Sequence, residues 1–144
     1  MTRRLTRSEA ETSAAGCELA ATLSAGDVVL LYGDLGAGKT AFVKGLAEGL
    51  GAPRDEVSSP TFTLMQEYRG GRLTLFHVDL YRLDDPREID DLGLDEIAEG
   101  GVLAIEWAEK SAASQAARRL ARAIAVRIEH GAGDERTITI HQRA

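Results

Sequence analysis

The sequence predicts an α/β fold: a mixed parallel and antiparallel sheet flanked by helices. Three observations predict it. The run "VVLLY" at 28–32 is apolar on both faces, which suits the interior of a parallel sheet covered on both sides. A second run, "VLAIE" at 102–106, reads as another buried strand. Two pairs of alternating segments read as hairpins: "TFTLMQEY" and "LTLFHVDL" around "RGGR", and "AIAVRIEH" and "RTITIHQ" around "GAGDE". With 144 residues and 44% hydrophobic content the chain buries one core, so a single domain over 1–144 is expected.

The helices follow in order. "SEAE" places Ser8 at an N-cap with Glu11 three residues on, the signature of a capping box, and Ala10, Ala14, Cys17 and Ala21 recur at helical spacing. This first helix is expected to end near Gly26. After the central strand, Val43, Leu46, Ala47 and Leu50 form one apolar helical face, with Gly49 and Gly51 as stop signals. "DDPREIDDLG" reads as a short helix with Asp85 as cap, Pro86 at its first position and Glu88 at its third. The alanine- and arginine-rich stretch at 111–123 carries the weakest pattern in the chain.

Composition removes several classes of function. The longest apolar runs are strand-sized and the N-terminus lacks an uninterrupted signal-type run, so neither membrane insertion nor export is expected, and the cytoplasm is the expected location. A net charge of −6 argues against a dedicated nucleic-acid binder, which needs a basic footprint to displace counterions from phosphates. The single cysteine, Cys17, has no internal disulfide partner and reads as a small buried residue.

Chemistry enters at "GDLGAGKT", residues 33–40. Gly33, Gly38, Lys39 and Thr40 satisfy G-x-x-x-x-G-K-[ST], and the turn joins a buried strand to an amphipathic helix, the context this motif requires. Such a loop, Gly33, Asp34, Leu35, Gly36, Ala37, Gly38, turns backbone N–H groups inward around phosphate oxygens, and the helix N-terminus adds partial positive charge. Lys39 reaches the β- and γ-phosphates, and the Thr40 hydroxyl can join a Mg²⁺ that bridges them. The expected fold is therefore that of a P-loop NTPase.

Two acids stand where that chemistry wants them. Asp79 ends "LFHVD" and Glu106 ends "VLAIE", and open α/β sheets gather ligands at the carboxyl ends of their strands. One such carboxylate can hold Mg²⁺, directly or through water, and another can orient the attacking water or accept its proton. Taken alone, each acid equally suits an exposed strand end or a helix cap. Thr61, in "SSPTFT", suits a further Mg²⁺ or γ-phosphate contact of the kind switch segments make, or a plain turn. His77 reads as a packed or hydrogen-bonded strand residue within reach of the site, Trp107 as core, and Arg118, Arg119, Arg122 and Arg127 as a solvated helix face.

"GDLGAGKT", "SSPTFTL", "HVDLYRL" and "EWAEK", in this order and spacing, resemble the TsaE family of bacterial P-loop ATPases, formerly called the YjeE family. The resemblance runs from the first helix to the last hairpin. It implies an ATP- and Mg²⁺-dependent ATPase needed to form threonylcarbamoyladenosine beside the anticodon of tRNAs that read codons beginning with A. It implies TsaB and TsaD as partners, with tRNA met indirectly through that complex. TsaD transfers the threonylcarbamoyl group from an adenylate made by TsaC. Position by position, Lys39 and Thr40 match the family's phosphate and Mg²⁺ residues, Thr61 its switch-like threonine, Asp79 and Glu106 its essential acids, and Trp107 the tryptophan of its "EW" motif. Catalysis is thus expected of Glu106, Asp79 and Lys39, and metal contacts of Thr40, Asp79 and Glu106. The chain departs from the family at Ala41, where a second threonine is usual, and at Ala108, where a proline is usual.

Two other classes share the opening motif. A small-molecule kinase would need an acceptor pocket and an arginine-bearing lid, and no convincing lid is present. A nucleotide-dependent assembly switch would use hydrolysis only to reset a complex. A guanine-specific GTPase would need an N-K-x-D segment to read the base, which is missing.

Overall fold

The computed structural model describes residues 2–33, 38–52, 65–69, 71–79, 87, 93–106 and 123–142. Among the described residues seven strands are formed: β1 (Thr2–Thr6), β2 (Val28–Tyr32), β3 (Met65–Tyr68), β4 (Thr74–Asp79), β5 (Gly101–Glu106), β6 (Ala123–His130) and β7 (Arg136–Gln142). They are accompanied by helices α1 (Glu9–Ala20), α2 (Lys39–Gly49) and α3 (Leu94–Glu99). The strands make one sheet in the order β1-β7-β6-β2-β5-β4-β3.

The apolar run expected at the heart of the sheet is there. β2 pairs in parallel with β5 on one side and β6 on the other, and Val28, Val29, Leu30 and Leu31 are all buried. β4 adds in parallel to β5, while the β3–β4 and β6–β7 hairpins supply the antiparallel parts. Strand alternation divides the core between the two faces of the sheet. Val29 and Leu31 pack with Leu46, Val43 and Phe42 of α2 and Leu19 of α1. Val28 and Leu30 pack on the other face with Leu94 and Ala98 of α3. Each fully buried side chain of this size contributes roughly 2 kcal/mol by leaving water.

Helices α1 and α2 approach each other unusually closely, and glycine makes this possible. A Cβ on Gly45 would overlap the carbonyl oxygen of Ser13, and one on Gly16 would overlap that of Phe42, so each helix backbone touches the other. This contact corrects the face read from the sequence. Thr12, Ser13, Ala15, Gly16, Leu19 and Ala20 are buried, whereas Ala10, Ala14 and Ala21 are exposed and Cys17 is only half-buried. Alanine suits either face of a helix, and close packing selected the face with glycine and small hydroxyl residues instead.

Other boundaries also differ. Helix α1 stops at Ala20, short of Gly26, and Arg72 explains part of the stop: its guanidinium donates to the carbonyls of Ala20 and Leu23, tying the β3–β4 turn to the helix C-terminus. β1 and α3 were not expected from the sequence. The first is a charged edge strand and the second is only six residues long. Arg127 lies in β6, exposed, with its guanidinium 5.2 Å from the centre of the Tyr32 ring, and is not part of a helix face. Of the helix expected at 84–93, Arg87 is described and helical, Gly93 caps α3, and the rest lies outside the described residues, as do residues 61–64 of the first hairpin. Among the described residues no helix is long and apolar enough to cross a membrane.

Candidate active site

The site is built on the carboxyl ends of three adjacent parallel strands, β2, β5 and β4. Register aligns them: Leu31 pairs with Glu106, and Glu106 with Asp79. Alternation also fixes the face. Leu75 and Ala104 belong to the cluster beneath α1 and α2, so His77 and Glu106, two residues further along their strands, and Asp79, four residues beyond Leu75, point to that same side. Helix α2 begins on this side, directly after the loop that leaves β2.

A lysine ties the end of β2 to the start of α2. Lys39, the first residue of α2, is 5% exposed and donates from Nζ to the Gly33 carbonyl oxygen at 2.8 Å, spanning the motif from end to end. A buried ammonium needs acceptors or an anion around it, and the carbonyl supplies one acceptor. Gly38 takes φ 104°, a left-handed conformation that side chains rarely adopt, and presents no side-chain cap to the helix. No acidic residue occupies the first turn of α2. The N–H groups and partial positive charge of this helix end are thus left without a carboxylate of the helix's own.

Glu106 is buried at 4% exposure, and its Oε2 lies 2.9 Å from Nε2 of His77, which has no exposure at all. Asp79 is half-buried beside it, as is Thr40 one residue beyond Lys39. The structure therefore brings together Gly33, Gly38, Lys39 and Thr40 on one segment and Asp79 and Glu106 on neighbouring strands. Asp34, Leu35, Gly36, Ala37, Thr61 and Trp107 lie outside the described residues. The link from His77 to Glu106 was missed beyond the expectation that His77 makes a hydrogen bond; the signal in sequence was only its equal parity with Asp79 along the strand.

A cleft of about 330 Å³ opens beside the start of α2, lined by Arg7, Ser8, Thr12, Gly38, Ala41 and Arg136 among others. Sequence reading missed it, because it joins the α1 N-terminus to the β6–β7 turn across more than 120 residues of chain. Ala41, where the TsaE pattern usually has a threonine, contributes a methyl group to its wall.

A parallel strand followed by a helix, with two carboxylates at the ends of the neighbouring strands, defines a class: α/β proteins whose polar groups gather at the carboxyl end of a largely parallel sheet. Comparison with known proteins narrows this. The family model described as threonylcarbamoyl adenosine biosynthesis protein TsaE matches residues 6–138. The chain is 48% identical over 130 residues to the tRNA threonylcarbamoyladenosine biosynthesis protein TsaE of Bacillus subtilis, covering 90% of this chain and 78% of that one. It is 49% identical over 111 residues to the protein of the same description from Treponema pallidum, covering 76% and 81% respectively. Its fold superposes on a crystal structure of Bacillus subtilis YdiB with a TM-score of 0.75 and 39% identity, over 96% of this chain and 83% of that one. The chain belongs to the TsaE family, whose members act in tRNA threonylcarbamoyladenosine biosynthesis.

Proposed function

We propose that this chain is a Mg²⁺-dependent ATPase of the cytoplasm that supports threonylcarbamoyladenosine formation on tRNA, working with TsaB and TsaD proteins and meeting tRNA through them. The observation that carries this reading is the buried Lys39 at a helix N-terminus with no side-chain cap, on the end and face of the sheet where Asp79 and Glu106 close adjacent strands.

The residues fit both ligands. Lys39 and the N–H groups opening α2 suit phosphate oxygens. Among the described residues no group of three or more His, Cys, Asp or Glu could hold a metal by itself. Thr40, Asp79 and Glu106 instead offer hard oxygens of the kind Mg²⁺ shares with phosphates and water. When bound, Mg²⁺ offsets charge on the β- and γ-phosphates. The cleft beside Gly38 is at the small end of the range for ligand pockets and suits the nucleoside end of ATP.

Hydrolysis then divides among the chain's own groups. Lys39 withdraws charge from the phosphoryl group as the bond to the β-phosphate oxygen breaks. Asp79 would hold the Mg²⁺, directly or through water, from the end of β4. Glu106 accepts a hydrogen bond from the attacking water, orienting it toward the γ-phosphorus and receiving or relaying its proton as inorganic phosphate and ADP form. Measuring ATP turnover of the wild type and Glu106→Ala, alone and with TsaB and TsaD, tests the reading. Slow wild-type turnover that rises with the partners is expected, with Glu106→Ala still binding ATP but hydrolysing it far more slowly. A mutant as active as wild type, or a wild type fast alone and indifferent to partners, contradicts it.

A further inference from the structure

We infer that His77 is a positioning residue for Glu106: its Nε2–H holds the Glu106 carboxylate in one orientation at the carboxyl end of β5. The inference rests on the reading of Glu106 as the group that orients the attacking water.

The starting observation is an anomaly. His77 is fully buried in β4, its Nε2 lies 2.9 Å from Glu106 Oε2, and its Nδ1 is buried with no hydrogen-bond partner. Buried polar atoms are normally satisfied, so each exception calls for a reason. A residue needed only to fill this space would be served without an orphaned nitrogen by an apolar side chain, like its neighbours Leu75 and Val78.

The orphaned nitrogen also fixes the tautomer. With the proton on Nδ1, a buried N–H donor would stand unsatisfied and the bare Nε2 lone pair would face a carboxylate oxygen. With the proton on Nε2, that nitrogen donates to Glu106 and only an acceptor lone pair goes unused, the cheaper deficiency. The pairing therefore runs in one direction, from imidazole to carboxylate.

The surroundings make this a stiff arrangement. His77 and Glu106 sit on adjacent, directly hydrogen-bonded parallel strands, with His77 opposite Ala104 and Glu106 one step further on the same face. The small Ala104 side chain leaves room for the diagonal contact. Tyr68 of β3, itself buried, flanks the imidazole with ring centroids 6.5 Å apart and the planes inclined by 37°. Glu106 Oε2 is thereby committed to His77, while Oε1 makes no other hydrogen bond among the described residues. A carboxylate held at one oxygen by a strand-borne donor presents the other in a defined place, which orienting a water requires.

Three variants and one spectrum test this. His77→Leu should lower ATP turnover about tenfold or more while the calorimetric affinity for Mg²⁺-ATP stays unchanged. His77→Gln, whose amide N–H reaches in the same direction, should recover much of the loss. In a Glu106→Gln background, His77→Leu should cost nothing further, because the residue it positions is already disabled. Independently of turnover, the imidazole ¹⁵N spectrum of the nucleotide-free protein should report His77 as the Nε2–H tautomer. An Nδ1–H tautomer, a His77→Leu loss that adds fully to Glu106→Gln, or His77→Leu turnover equal to wild type would overturn the inference. If Glu106→Gln itself turned over normally, the assignment of Glu106 would fall instead, and the spectrum would still judge the geometry.

Discussion

Helices α1 and α2 lie side by side, and their N-termini are built in opposite ways. Ser8 caps α1, accepting from the Glu11 N–H at 3.1 Å, and Glu11 accepts in turn from the Arg7 N–H at 3.3 Å. Glu9 adds a second carboxylate to that first turn. The donors and partial positive charge of α1 are therefore answered by its own side chains. Helix α2 starts with Gly38 and Lys39, carries no acid in its first turn, and adds a cation where α1 adds anions. Two neighbouring helices of similar length thus differ: α1 answers its own N-terminus with side chains, and α2 brings neither a side-chain cap nor a first-turn carboxylate, which is why we propose the anion site there.

The comparison breaks most severely if the helices are forced apart. Gly45→Val places a branched side chain against the Ser13 carbonyl, and the expected cost is about 3 kcal/mol or more, read as a lowered denaturant midpoint. An unchanged midpoint would mean that the close contact carries no weight. Next comes Asp79→Ala, which should reduce Mg²⁺-dependent turnover by about tenfold or more while the circular dichroism spectrum is retained. Collapse of the fold would make Asp79 a structural carboxylate. The smallest effect sharpens the contrast: Glu11→Ala should cost about 0.5–1 kcal/mol of stability and leave nucleotide affinity untouched. A matching loss of ATP affinity would show that the α1 end also serves the ligand.

How far the sequence foretold this follows from how local each feature is. The α2 end was legible because strand, glycine turn, lysine and helix are contiguous, and the same holds for the β6–β7 hairpin, found at its expected residues. The Ser8 cap was legible for the same reason, although Glu11 accepts from the Arg7 N–H and the Ser8 hydroxyl and not from the Ser8 backbone N–H as the capping box implies. The buried face of α1 was not legible, since it depends on which backbone α1 touches, and alanine is indifferent to the answer. The His77–Glu106 pair was equally hidden. It joins residues 29 apart through the register of two strands, and period-2 patterning gives parity along a strand but no alignment between strands.

The central claim is that the α2 end, through Lys39, receives the phosphates. Calorimetric titration of Mg²⁺-ATP into wild type, Lys39→Ala and Glu11→Ala tests it most directly. The expected result is saturable binding by wild type and Glu11→Ala, with affinity reduced about 100-fold in Lys39→Ala, the scale of a lost charge-assisted contact. Equal affinities for wild type and Lys39→Ala, in a protein that remains folded, would contradict it.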